Sequence, residues 1–323
     1  MNPLRRGLLA ALLASSAPPT ALAQGFPTRP IRVIVPFPAG GGTDIIAREV
    51  VEKIRATQGW IFVVENRPGS GGNLGIDTVA KSPADGYTIA LGQTSNLAIN
   101  VTLFRKLPYD PLKDLTTLGL VASAPLVFVV AADSPFKSLA EVVAAAKAKP
   151  GSLNFASPGN GTVAHLTSEL FQRTADIKLT HVPYKGAAQA LNDLIGGQVH
   201  LYASSVPTLL GQIKQGKLRA LGVTSLQRVD DLPETPTIAE SGYKGFESAT
   251  WFGFIGPAGM PTEIINRMNA ELNAALKRPE LVKKLSEQGA EVLGGTPEQF
   301  SSLIKKDIAR WAPVIKESGA TVD

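Results

Sequence analysis

The 323-residue chain contains no cysteine and only three histidines. Without cysteine there are no disulfides, no thiolate nucleophile and no thiolate-bound metal, so stability has to come from core burial and hydrogen bonding. His165, His181 and His200 lie far apart and form neither H-x-x-x-H nor H-E-x-x-H spacing, so no metal and no cofactor is expected. A G-x-S-x-G nucleophile elbow is missing, and the acids form no motif that fixes a pair for general acid–base work. Dense Lys/Arg blocks are missing too, which sets nucleic acid aside as a partner. Beyond residue 23 no apolar run approaches the ~20 residues that cross a bilayer. The longest, such as Leu126–Ala132, are strand-sized.

What is present begins with residues 1–23, which read as a secretory signal peptide. Arg5 and Arg6 supply charge, and Leu8 to Ala14 form an apolar stretch too short for a span. Ala21-Leu22-Ala23 offers a small-residue cleavage site before Gln24. A buried first helix would be broken by Pro18-Pro19. The paired arginines also suit twin-arginine export, although Leu4, Gly7 and Leu8 do not complete that signal. Cleavage leaves 300 residues, removes two arginines and no acid, and lowers the net charge from +5 to +3. The expected location is the periplasm, and the remaining length suits two domains better than one.

The mature chain alternates strand and helix patterns. Ile31–Val35 reads as a strand, Pro36–Gly42 as a loop, and Thr43–Thr57 as a helix with Ile46, Val50 and Ile54 on one face. Strands are expected at 62–64 and 87–91, and a glycine-rich turn at 66–73 opens a helix. A second block gives strands at 126–131, 153–156, 199–203 and 218–223. Its helices fall at 139–148, 162–174, 187–195 and 208–215. A strand at 251–255 and three helical stretches to Lys316 follow, and no fixed-period repeat is found. Two α/β units of parallel sheet and helices, with the chain passing out and back near 122–126 and 223–226, imply two lobes. The division is 24–124 plus 224–323 for lobe 1 and 125–223 for lobe 2. The cleft between them is the expected ligand site.

Two loops carry the chemistry. Phe37-Pro38-Ala39-Gly40-Gly41-Gly42-Thr43-Asp44 sits between a strand and a helix. Its glycines let backbone N–H groups approach a ligand, and the helix N-terminus adds unsatisfied donors and partial positive charge. The alternative is a plain N-cap after a flexible turn. No Lys-Ser or Lys-Thr follows, so this is not a P-loop, and Asp44 would repel a phosphate. A carboxylate fits better. Ser157-Pro158-Gly159-Asn160-Gly161-Thr162 repeats the construction. Gly159, Gly161 and Ala164 match G-x-G-x-x-A, but no acid lies about 20 residues on, so a second carboxylate pocket is the better reading than a dinucleotide site. His165 either packs on the helix or meets the ligand. Tyr184 offers a ring or hydroxyl and Lys185 a charge, unless both are plain surface. Thr94 and Ser95, at the end of a strand, supply hydroxyls.

Together these motifs resemble the Bug family of periplasmic solute-binding receptors, which serve tripartite tricarboxylate transporters. The matching stretches are Phe37–Asp44, Glu65–Gly69, Ala84–Tyr87, Leu107–Asp110, Asn160–Thr162, His181–Gly186, Gly216–Leu221, Trp251–Gly253 and Pro257–Gly259. They span residues 27–318 in family order. The resemblance implies an α/β, two-lobed periplasmic binding protein of Venus-flytrap, type II-like form, each lobe a mainly parallel sheet flanked by helices. It implies a carboxylate ligand gripped by Pro38–Thr43 and Ser157–Thr162, with Tyr184 and Lys185 on a third loop. Many members read Phe-Asp-Asn where this chain has Ala203-Ser204-Ser205. Ser204 carries no charge to offer a ligand amine, which disfavours an α-amino acid, and its small side chain leaves room for an aromatic acid. A monomeric receptor that closes on its ligand and docks on membrane permease subunits is expected. The alternatives are a ligand-sensing co-receptor for a histidine kinase, and a secreted hydrolase or isomerase. The same fold serves permease and sensor alike.

Overall fold

The computed structural model describes residues 25–318, 320 and 322. The signal-peptide reading of residues 1–23 therefore lies outside the described residues. The elements run β1 (Ile31–Val35), α1 (Gly42–Gln58), β2 (Phe62–Asn66), α2 (Asn73–Ala80), β3 (Thr88–Gln93), α3 (Asn100–Leu103) and β4 (Leu115–Ala131). Then come α4 (Leu139–Ala148), β5 (Asn154–Ser157), α5 (Val163–Ala175), β6 (Thr180–Pro183), α6 (Ala187–Ile195), β7 (Leu201–Ser205), α7 (Val206–Lys214) and β8 (Leu218–Val223). The chain closes with β9 (Ala249–Pro257), α8 (Thr262–Leu276), α9 (Pro279–Ser286), β10 (Glu291–Val292) and α10 (Pro297–Ser318).

The strands follow the order β2-β1-β3-β9-β4-β7-β5-β6, with β8 and β10 also paired to β4. Parallel pairing holds within β1/β2/β3 and within β5/β6/β7. Strands β4, β8, β9 and β10 pair antiparallel. Both sheets are thus mixed, because the strands that pass between lobes enter each sheet against its direction. Each sheet is buried on both faces, which is why its strands read as near-continuous apolar runs. In β1, Val33 and Val35 pack with α1 and α8 residues, while Ile34 packs on the other side with Ile76 and Ile304. In β4, Phe128 and Val130 face one core and Val127 and Val129 the other.

Strand β4 builds the two-lobed form. Residues Leu115–Pro125 pair with β9, and Leu126–Ala131 pair with β7 and β8. Sequence periodicity finds only its second half. The first half carries Thr116, Thr117, Gly119 and Ser123, and two register shifts against β9 break its alternation. The chain reaches the lobe junction again at Thr224, which is fully buried. Its Oγ1 accepts from Leu126 N at 2.8 Å and donates to Ser248 O at 2.5 Å, and its backbone bonds to both neighbours. Residues 225–248 do not return to the first sheet, as the sequence division has it. Ile238 and Phe246 pack with Phe128 and Leu221, and Leu232 packs with Val127 and Leu209. The second crossing comes at Ser248. Helix α10 spans the junction: Phe300 and Ile304 pack in the first lobe, and Trp311 and Ile315 pack with Val163 and Leu166 of α5.

Candidate functional site

Strand β1 delivers the first glycine-rich turn to the lobe boundary. Gly40 adopts φ +81°, a left-handed conformation that glycine takes without strain. Its N–H donates to Asp44 Oδ2 at 3.0 Å, while Asp44 Oδ1 accepts from Arg48 Nε at 2.9 Å and from Asn66 Nδ2 at 3.0 Å. Burial pushes the Asp44 carboxyl up, but these donors outweigh it and hold it below its ordinary value. The aspartate is thus tied behind the turn, not in the cleft.

Strand β5 delivers the second turn. Thr162 caps α5, its Oγ1 accepting from His165 N at 3.3 Å and donating to Gly159 O at 2.8 Å. The two turns open onto one cavity. Gly41, Gly42 and Thr43 line it from one side, and Pro158, Thr162, Val163 and Ala164 from the other. Two further helices start there. Gly186 and Ala187 bring the N-terminus of α6, and Ser205 and Thr208 bring that of α7. Four helix N-termini, each carrying roughly half a positive charge, therefore converge. No lysine, arginine, aspartate or glutamate is among the lining residues.

The lobes complete each other's helices. Gly42 N–H, at the start of α1, donates to Thr208 Oγ1 at 2.9 Å, and Val163 N–H, at the start of α5, donates to Ser95 Oγ at 3.2 Å. A Cβ at Gly42 would come within 2.6 Å of Ser205 Oγ, so this approach of the lobes needs a glycine there. The N–H groups of Thr43, Ala164 and Ala187 have no protein acceptor among the described residues. Phe37, Leu126 and Phe252 form apolar wall, and Gln93, Ser204 and Thr250 add side-chain polar groups. The cavity measures about 60 Å³, several times the ~10–15 Å³ that admits one water, so a compact solute fits.

Of the residues singled out in the sequence, Phe37, Pro38, Gly41, Thr43, Ser95, Thr162 and Ser204 line the cavity. Ala39 and Gly40, on the same turn, are exposed and do not line the cavity. Thr94 is buried, its Oγ1 accepting from Trp251 N at 3.0 Å. Ser157, Gly159, Asn160 and Gly161 form the frame of the second turn without lining the cavity. His165 packs behind that turn, 4% exposed, with its ring stacked on His181 at 4.0 Å. Tyr184 donates its hydroxyl to Asp193 Oδ2 at 2.8 Å, and Lys185 is exposed. Gly42, inside the Pro38–Thr43 stretch, lines it as well; sequence reasoning missed Gln93, Thr250, Phe252 and the starts of α6 and α7. Ser205 followed by Pro207 was a legible helix start; Gln93, Thr250 and Phe252 reach the cavity only through strand pairing. Among the described residues no cluster of His, Cys, Asp and Glu could hold a metal.

The geometry matches known proteins. A model described as the tripartite tricarboxylate transporter family receptor matches residues 46–320. A protein of Pseudomonas sp. (strain P51) from the tcbD-tcbE intergenic region is 42% identical over 317 residues, covering 97% of this chain and 94% of its own length. BugT of Bordetella pertussis is 39% identical, covering 97% of this chain and 96% of its own. The solved structure of an R. palustris protein with adipate is 38% identical, covers 92% of this chain and 99% of that one, and gives a TM-score of 0.89. The chain belongs to the tripartite tricarboxylate transporter family of receptors, which includes the Bug proteins, and is a periplasmic solute-binding receptor rather than an enzyme.

Proposed function

We propose that the cleft between the lobes captures one carboxylate-bearing solute and that closure on it creates the form read by membrane permease subunits. The observation that carries this is the convergence of four helix N-termini on a cavity without formal charge. Such dipoles favour an anion without the desolvation cost of a buried lysine or arginine. An ammonium group would find no carboxylate partner there, so acids without an amine are favoured. The apolar wall of Phe37, Leu126 and Phe252 suits an aliphatic or aromatic middle between polar ends. Thr43, Ser95 and Ser204 are the side chains assigned to the ligand, with the unpaired N–H groups of Thr43, Ala164 and Ala187; Thr162, whose hydroxyl proton goes to Gly159 O, lines the site and holds the second turn in place.

The moving bodies are residues 25–125 with 249–318, and residues 126–248. They hinge where β4, Thr224 and Ser248 cross. The receptor acts as a monomer after loss of residues 1–23. The test is calorimetry on the purified mature chain with adipate and with other mono-, di- and tricarboxylates, using adipamide as the uncharged control. Acids should bind and be recovered unchanged, and adipamide should not bind. Binding of the amide as tight as that of the acid would remove the anion site from the account. In thermal unfolding, ligand at 100 times Kd adds about 2.7 kcal/mol.

A further inference from the structure

The second turn is backed by a stack of three rings that do not line the cavity. Phe155, His181 and His165 lie face to face, with centroids 4.7 Å apart for Phe155–His181 and 4.0 Å for His181–His165, and interplanar angles of 19° and 10°. Each histidine holds one end of the turn. His165 Nδ1 accepts from Gly161 N–H at 3.3 Å. His181 Nε2 bonds Ser157 Oγ at 2.7 Å, and Ser157 Oγ in turn bonds Gly159 O at 3.1 Å and accepts from Gly159 N–H at 3.3 Å. Between these anchors the backbone takes left-handed values at Gly159 and Gly161, φ +145° and +76°, which no helix or strand would enforce.

The chemistry sets the protonation. An imidazole nitrogen that accepts a backbone N–H carries no proton, so His165 has its proton on Nε2 if neutral. That nitrogen looks toward Glu169 Oε1 at 3.8 Å, too far for a hydrogen bond. Among the described residues no other acid comes within 4.0 Å of a ring nitrogen of either histidine. Charge on either ring would be buried beside the other ring. Burial, and for His165 the neighbouring imidazole, pull His165 down to about 3 and His181 down to about 4.

We propose that His165 and His181 are positioning residues: as a neutral stacked pair they hold Ser157–Thr162 in the shape that turns the α5 N-terminus into the cleft. This rests on the reading of that cleft as the solute site. Neither ring touches the solute. They act by fixing Gly161 and Ser157, and so the direction of the Ala164 N–H.

Two measurements test it, one without any ligand. In protein labelled with nitrogen-15, His165 Nδ1 should appear unprotonated and Nε2 protonated. Both rings should stay neutral from pH 7 down to about 5, with His181 the first to take a proton below that. A proton on Nδ1, or titration of either ring near its ordinary value of about 6.5, would overturn the proposal. The second measurement uses His165→Leu, which fills the space without an acceptor, and His165→Asn, whose Oδ1 can replace Nδ1. Adipate is the calorimetric probe, and the Gly161 amide resonance reports the turn. The leucine variant should shift that resonance and weaken adipate about tenfold or more, as for a buried donor left unpaired, and the asparagine variant should restore most of both. Equal binding by the leucine variant, or no rescue by asparagine in a folded protein, would overturn the proposal. Should wild-type protein fail to bind adipate, the choice of solute falls, and the ring and Gly161 spectra still decide the positioning role.

Discussion

Gly41→Asp separates binding from folding. Gly41 is the N-cap of α1, with φ −81° and ψ 163°, an extended conformation open to any residue. The nearest atom to a Cβ there is Pro38 O at 3.7 Å, an ordinary contact. Aspartate is a strong N-cap and its charge suits the helix dipole, so the unliganded variant should match the parent or gain about 0.5–1 kcal/mol. Binding moves the other way. Gly41 lines the cavity. Two unit charges about 4 Å apart, as for a carboxylate at position 41 and one on the Thr43 N–H, repel by about 4 kcal/mol at an effective dielectric of 20, nearly a thousandfold in Kd. The new side chain also occupies N–H donors that the solute needs. Gly41→Asn is the control: it caps the helix with the same bulk and no charge, and should lose far less affinity. Adipate calorimetry, with urea unfolding of the unliganded proteins, reads both effects. If the aspartate variant binds within about threefold of wild type, the α1 N-terminus does not hold the anion and the reasoning fails.

Thr162→Ala removes the α5 cap and should cost about 1 kcal/mol in urea unfolding, with a comparable loss of solute affinity; unchanged stability would mean the cap is idle. Thr224→Val leaves Leu126 N–H and Ser248 O without their hydroxyl partner in a fully buried junction. It should lower stability by about 2–4 kcal/mol, and a change under about 0.5 kcal/mol would contradict the junction's role. The pH dependence follows from groups whose folded pKa is depressed. His165 and His181, at about 3 and about 4, contribute stability that is present above the unfolded value of about 6.5 and lost as pH falls through the folded values. Asp44, held low by Arg48, Gly40 and Asn66 against its own burial, adds a further loss as pH falls below about 3.9. Urea midpoints should thus be level above pH 7 and fall steadily below 6.5. A midpoint that is flat from pH 7 to 4 would contradict neutral buried histidines.

Much of this molecule was legible because both sheets are covered on both faces. Runs such as Ile31–Val35 and Leu126–Ala131 announce buried strands, and a glycine-rich turn before an amphipathic helix announces an N-terminus aimed at a cleft. The first half of β4 was not legible, since its register shifts destroy the alternation that marks a strand. Nor was the membership of 225–248 in the second lobe, because Ile238 and Phe246 declare their core only once β8 has placed them. At the site, residues on the turns were found and residues reached through pairing were not. Gln93, Thr250 and Phe252 sit on β3 and β9, whose antiparallel register joins segments far apart in sequence. His165 was singled out for the right turn, and its ring is placed behind that turn instead of in the cavity.

The most direct measurement is a solute titration followed at the backbone amides of Thr43 and Ala164, in protein labelled with nitrogen-15. Both resonances should move downfield together and saturate with one Kd, since one carboxylate-bearing solute bridges helix starts on opposite lobes. If the solute binds while these two amides stay still, or while only one of them responds, the anion is held elsewhere.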